Sequence, residues 1–279
     1  MAGQYIEALP FWRKAIELGE QELGFSDPNM AALLDALGQT HHFLGHYAEA
    51  EPLYNRALAV WEEALGPDHP DVAQGLHDLA TLYDDQGRYE VAEPLLKRAL
   101  VIDEEVLGPD HPYVARNLHN LAEVYRKQGR YAEAEPLYKR ALAIDEKAPG
   151  PDSRNVAIDL DGLATLYGDQ GQYEAAQLLL KRALAIKMKA LGPDHPSVAT
   201  SLNKLAEMLS AQGLYDAAEP LYMRALAVWE EAFGPDHPDV ATGLENYAAL
   251  LRSSGRNDEA VTLVARAEAI RVKHAEENP

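Results

Sequence analysis

LGPDHPDVA, residues 65–73, decides the fold, because Gly66 to Pro70 pack a glycine, two prolines, an Asp and a His into five consecutive positions. Either the Asp–His pair opens a catalytic or metal site, or the stretch is punctuation between two helices. Recurrence separates the two readings. GPDHP returns at Gly108, Gly192 and Gly234, with degenerate copies GPDSR at Gly150 and GFSDP at Gly24, and every step is 42 residues. A second glycine ladder, at Gly3, Gly45, Gly87, Gly129, Gly171, Gly213 and Gly255, keeps the same period at an offset of 21. A period of this size marks a tandem array, so the 279 residues form one elongated domain rather than two globular ones.

Residues 66–107 serve as the type unit. In DVAQGLHDLATLYDDQG, Leu76, Leu79, Ala80 and Tyr83 fall at i, i+3, i+4 and i+7, the apolar stripe of an amphipathic helix. This helix A stops near Gln86 and Gly87, where a glycine can take the left-handed conformation. A second stripe, Tyr89, Ala92, Leu95, Leu96, Ala99, Leu100 and Ile102, marks helix B. Ala73, Ala80, Ala92 and Ala99 let the helix axes approach closely. Neither stripe can be buried within one hairpin, so the pairs must stack. Pro52, Pro94, Pro136 and Pro220 fall inside helix B and predict a local kink or a late helix start.

In the loop, Gly66 ends helix B, Pro67 blocks its continuation, Asp68 is the expected cap of the next helix, and Pro70 suits its first turn. His69, His111, His195 and His237 lie one stacked pair apart, too far to share a zinc whose bonds to nitrogen are about 2.0–2.1 Å. The loop is therefore read as structural.

Composition narrows the function classes. A net charge of −20 opposes binding to nucleic acid or to anionic membrane surfaces, and the acids are read as a solvated outer surface. No apolar run is long enough to span a membrane, the N-terminus lacks a signal-peptide pattern, and there are no cysteines, which fits a soluble cytoplasmic protein. No phosphate-cradling loop, HExxH, Gly-x-Ser-x-Gly or cysteine nucleophile is present, so no enzyme activity, cofactor or metal is expected. His41, His42 and His46 cluster around Gly45 and could touch a metal, but are read as solvated helix-end histidines.

The helix-turn-helix unit carrying Leu76, Leu79, Ala80, Tyr83, Gly87, Tyr89, Ala92 and Ala99 resembles the tetratricopeptide repeat. Its 42-residue form, as in LNKLAEMLSAQGLYDAAEPLYMRALAVWEEAFGPDHPDVA from Leu202 to Ala241, is similar to the repeats of kinesin light chains and of many bacterial tetratricopeptide proteins. The resemblance implies an all-α, right-handed α-solenoid of stacked antiparallel pairs with about 11 helices. The expected units are a lone helix B over 1–24, then 25–66, 67–108, 109–150, 151–192, 193–234 and 235–279. Entry in mid-repeat suggests a piece of a longer protein. The polar last unit, RNDEAVTLVARAEAIRVKHAEENP, reads as a cap that ends the array at 279.

The resemblance also implies a concave groove lined by helix A that binds peptides. Two rows face it: Asp35, His77, His119, Asp161, Asn203 and Glu245, then Ala36, Asp78, Asn120, Gly162, Lys204 and Asn246. Kinesin light chains commonly have asparagine in both, and Asn120, Asn203 and Asn246 match. The candidate peptide-binding residues are His77, Asp78, Arg116, His119, Asn120, Glu123, Arg126, Lys127, Asn203, Lys204 and Asn246. Arg116, Asn120, Arg126 and Lys127 read as a basic patch between Asp78, Asp84 and Asp85 on one side and Asp161 and Asp169 on the other. That alternation suits a mixed-charge peptide, with a carboxylate docking near Arg116 or Arg126. Trp61 and Trp229 occupy equivalent places, and the matching Asp103, Asp145 and Lys187 imply a partly exposed site.

The expected function is a non-catalytic scaffold or adaptor binding protein or peptide partners. The alternative is a self-assembling structural element, a weak homo-oligomer through a first helix that exposes Ile6, Leu9, Phe11 and Trp12. A third reading is the regulatory sensor part of a larger enzyme or signalling protein.

Overall fold

The computed structural model describes residues 2–22, 24, 26–148 and 150–277. Leu23 and Phe25, in the first linker, and the expected array end at 279 lie outside them. Among the described residues there are thirteen helices and no strands. The A helices are α2 (Pro28–Phe43), α4 (Pro70–Asp85), α6 (Pro112–Lys127), α8 (Arg154–Asp169), α10 (Pro196–Ala211) and α12 (Pro238–Ser253). The B helices are α1 (Ala2–Glu22), α3 (Tyr47–Leu65), α5 (Tyr89–Leu107), α7 (Tyr131–Lys147), α9 (Tyr173–Leu191), α11 (Tyr215–Phe233) and α13 (Asn257–Glu277). The count exceeds the expected 11 because α2 and α3 complete a sixth pair behind the degenerate GFSDP loop.

The chain divides into two compact units, Met1–Ile144 and Asp145–Pro279. Within each, the A helices pack on their own B helices, α2, α4, α6, α10 and α12 pack also on the B helix before them, and successive A helices touch along α2–α4–α6 and α8–α10–α12. Alanines make these close crossings: Ala73, Ala80, Ala92 and Ala99 in the first unit are fully buried, as are Ala199, Ala206, Ala218 and Ala225 in the second.

The structure corrects the reading of the loop by one residue. His69, not Asp68, caps α4: its backbone is extended (φ −78°, ψ 146°) and its Nδ1 accepts from the Asp71 N–H at 3.2 Å. His111, His195 and His237 repeat the bond at 3.1–3.2 Å, and Asp27 and Ser153 cap from the same register with their oxygens. The loop histidine is thus a cap that satisfies a free helix N–H. His69→Ala is expected to cost about 1 kcal/mol while His69→Ser is nearly neutral, measured by urea unfolding. Equal loss in both variants would remove the capping role.

The other helix ends follow the glycine ladder. Gly87 takes φ 72°, its N–H reaches the Asp84 carbonyl at 2.9 Å, and Arg88 N–H reaches Tyr83 at 2.8 Å, the paired bonds of a Schellman cap. The B helices do not start late at their prolines. α3 runs unbroken from Tyr47 through Pro52, because Pro52 and Ala48, whose carbonyl loses its donor, are both exposed to water.

Trp61 and Trp229 are also not half-exposed. They are 5% and 4% accessible, and the matching Asp103, Asp145 and Lys187 are buried as well. Fourteen residues further on, the next A helix answers Trp61, Asp103, Lys187 and Trp229. Trp61 lies on Gly75 and Trp229 on Gly243, where an added Cβ would come within 3.0 and 2.8 Å of the indole. Asp103 accepts from the Asn117 amide at 2.7 Å, and Lys187 donates to Ser201 at 2.8 Å. On the outer face, Arg56, Arg98 and Arg140 pair with Glu20, Glu62 and Glu104 of the preceding B helix, and Arg182 and Arg266 do the same with Glu146 and Glu230. Much of the acidic surface is therefore a ladder between neighbours, each exposed rung worth little alone.

Candidate functional site

Helices α4 and α6 each carry one stripe, at i, i+4, i+7 and i+11, that the core does not take up. On α4 it is Gln74, Asp78, Thr81 and Asp85, and on α6 it is Arg116, Asn120, Glu123 and Lys127. In the first unit these stripes are joined. Gln39 Nε2 donates to Asp35 at 2.8 Å and to Asp78 at 3.3 Å; Gln74 Nε2 donates to the same Asp78 oxygen at 2.6 Å, and Gln74 Oε1 accepts from Arg116 Nη1 at 2.8 Å. The result is a continuous chain of polar contacts across α2, α4 and α6.

Burial first, and then the Asp78 charge, push the Asp35 carboxyl up to about 8. Asp78 is raised by burial too, opposed by the Gln74 amide and the Arg116 charge. Burial lowers the Arg116 guanidinium, which Asp78 and Asp103 help to keep charged and which lies 4.8 Å from the Tyr113 ring centroid.

A second chain runs beside the first. His77 Nδ1 meets Asn117 Oδ1 at 2.8 Å, and Asn120 Nδ2 meets His77 Nε2 at 3.3 Å. Burial, then Arg116, lower His77 to about 3, so its ring is neutral. The two amides assign the proton to Nδ1, which donates to Asn117 while Nε2 accepts from Asn120.

The residues expected to form a basic patch lie together on α6, each with a partner in the first unit. Arg116 is bonded to Gln74, Arg126 grips Glu123 with two bonds, and Lys127 reaches Asp84 at 2.7 Å. Burial would raise Glu123, but the bonds from Arg126 and the Tyr138 hydroxyl outweigh it and hold the group near 2. His119 packs edge-on against the Tyr138 ring, centroids 5.3 Å apart.

In the second unit, Asn203 and Asn246 both donate to Glu207 Oε1 at 2.6 Å, and Lys204 reaches the Thr165 hydroxyl at 3.0 Å. Burial raises Glu207, against the Asn203 bond and the Lys204 charge. Asp161 is buried beside Lys187 and Ser201, and Glu245 pairs with Arg271.

Gln39, Gln74, Asn117 and Glu207 are the members that row-by-row reading misses. One signal points to them: Gln74 and Arg116 are 42 residues apart, in the same register of adjacent A helices. Among the described residues, no group of three or more His, Cys, Asp or Glu is placed to hold a metal ion, and no helix is long and apolar enough to cross a membrane.

A family model described as tetratricopeptide repeat matches residues 1–60, 44–105, 85–147, 113–189 and 197–271, and a second of the same description matches 162–227. No curated protein matches the chain. Among solved structures, a Podosopora anserina protein of nearly identical TPR-like repeats, assigned as a kinesin light chain, is 28% identical with a TM-score of 0.61, covering 74% of this chain and 98% of that one. BtubC (BKLC) from P. vanneervenii is 22% identical with a TM-score of 0.56, over 100% of this chain and 92% of that one. The apo form of RapI shares the fold, at 18% identity and a TM-score of 0.73 over 98% and 93% of the two chains.

Proposed function

The chain belongs to the tetratricopeptide repeat family, whose members are generally non-catalytic protein-interaction modules, and from that premise we propose that it is a scaffold holding peptide segments of partner proteins along the polar stripes of its A helices. The observation that carries this reading is the chain of contacts Asp35–Gln39–Asp78–Gln74–Arg116, which fixes donors and acceptors on three successive helices before any ligand arrives. Groups already ordered cost little entropy on binding. Amides at Asn120, Asn203 and Asn246, with Lys204, extend the same stripe chemistry to an extended backbone. Asp78 beside Arg116, and Asp84 beside Lys127, suit a peptide of mixed charge. The reading takes 1–279 as one solenoid domain working in the cytoplasm, in keeping with a chain without cysteine.

A peptide-array screen followed by affinity measurement tests it. Arg116→Glu is expected to weaken selected peptides at least about tenfold, with Arg116→Gln intermediate and helicity unchanged. Arg126→Glu is expected to act less directly, by releasing Glu123. Peptides whose affinity ignores both reversals would remove the stripe assignment. A mass that rises with concentration in light scattering and falls back in Phe11→Ser would favour self-assembly instead, because Ile6 and Phe11 on α1 are 56% and 76% exposed, while Leu9 and Trp12 are half-buried.

A further inference from the structure

The Schellman cap that ends each A helix does more than stop it. Its longer bond, from the residue after the glycine back to the carbonyl five residues earlier, also brings the side chains of those two residues together. In the second and third pairs the bond joins Arg88 to Tyr83 and Arg130 to Tyr125, both at 2.8 Å, and the guanidinium carbons lie 4.2 and 3.9 Å from the ring centroids. Leu214 and Leu209 occupy the same places after α10, and Arg256 and Leu251 after α12.

After α2 both places are histidine. His46 N–H donates to the His41 carbonyl at 2.9 Å, Gly45 supplies the left-handed turn at φ 75°, and the two Nδ1 atoms stand 3.4 Å apart. With metal–nitrogen bonds of about 2.0–2.1 Å, neighbouring ligands of a tetrahedral zinc are about 3.3–3.4 Å apart. The two imidazole nitrogens, which stand within hydrogen-bond reach of each other, are thus at the separation that neighbouring zinc ligands take. The spacing exceeds the roughly 2.8 Å between adjacent ligands in a square-planar site with bonds of similar length, so the geometry favours zinc over copper(II).

The geometry points to a zinc-binding site formed by Nδ1 of His41 and Nδ1 of His46, with water in the remaining positions. His41 is buried and His46 exposed, so the ion enters from the solvent side. Glu49, in the first turn of α3, adds negative charge beside His41, and Arg13 on α1 opposes it. His42 faces elsewhere: its Nε2 meets Asp85 at 2.8 Å and its Nδ1 meets the Tyr54 hydroxyl at 3.4 Å. A bound ion ties the end of α2 to the entry of α3. With two protein ligands this is a lesser site than a dedicated metal centre, which supplies three or four.

Calorimetric titration of the full chain with zinc chloride, and with magnesium chloride as comparison, tests the site without reference to any peptide. One zinc per chain is expected in the wild type and in His42→Gln, with affinity at least about tenfold weaker in His46→Gln and His41→Gln. His46→Gln keeps the backbone bond of the cap, so circular dichroism should report an unchanged fold, and the rise in melting temperature with zinc should vanish. Undetectable zinc binding, equal affinity in His46→Gln, or an equal response to magnesium would each overturn the assignment.

Discussion

Lys187→Met is expected to destabilise the second unit by about 3–5 kcal/mol, seen as lost hydrogen-exchange protection of the α9 and α10 amides and as an earlier urea transition. The ammonium is buried between helices, where it bonds to Asp161 on α8 and to Ser201 on α10. Removing it leaves the Asp161 carboxylate 9% accessible, with only the Ser201 hydroxyl at 3.5 Å close by. An uncompensated buried charge costs far more than a lost surface pair, because the interior gives back none of the hydration it removes. Lys187→Met/Asp161→Asn removes both charges and is expected to recover most of the loss, since methionine and a neutral amide fit the same volume. A single variant that loses less than about 1 kcal/mol would mean that water already reaches the pair.

The same position explains what the sequence discloses and what it hides. The 42-residue period, the glycines of the two ladders and the alanines of the crossings each act locally or at a fixed register, so pattern alone exposes them. The core position at 61, 103, 145, 187 and 229 alternates between Trp and charge, which along one row looks like a surface. It is buried because the partner fourteen residues on changes with it, Gly75 under Trp61, Asn117 under Asp103, Ser201 under Lys187 and Gly243 under Trp229. Compensation between helices is visible only when two rows are read together. The cap fails to be legible for a different reason. Asp68 and His69 can both accept a hydrogen bond, and only the extended backbone at His69 decides between them. At the candidate site the row assignment brings Asp78 and Asn120 to neighbouring stripes, but the glutamines linking Asp35, Asp78 and Arg116 carry no motif. The charge of Arg126 and Lys127 reads as free until Glu123 and Asp84 are seen to meet it.

Asp35→Asn is expected to raise stability increasingly as pH climbs from about 4 to 8, reaching on the order of 5 kcal/mol at pH 8, with little difference at pH 4. The Asp35 carboxyl is 6% accessible, its Oδ1 has no hydrogen-bond partner among the described residues, and the Asp78 carboxylate lies across from it through Gln39. Burial and that neighbour raise its folded pKa from 3.8 to about 8, so the native state holds a proton that the unfolded chain releases near pH 4. Folded protein therefore binds more protons throughout this window, and the contribution of Asp35 to stability is full below about pH 4 and is lost as pH rises toward 8. Asparagine keeps the acceptor for Gln39 and cannot ionise, which removes the slope. The groups facing the pair set its size: the Asp78 charge steepens it, Arg116 and His42 beside Asp78 moderate that charge, and the Tyr54 phenol, itself raised by burial and both carboxylates, stays neutral throughout. Urea unfolding at pH 5, 6.5 and 8 for wild type and variant reads the difference directly. Parallel curves across the three would show that Asp35 is already ionised at pH 5.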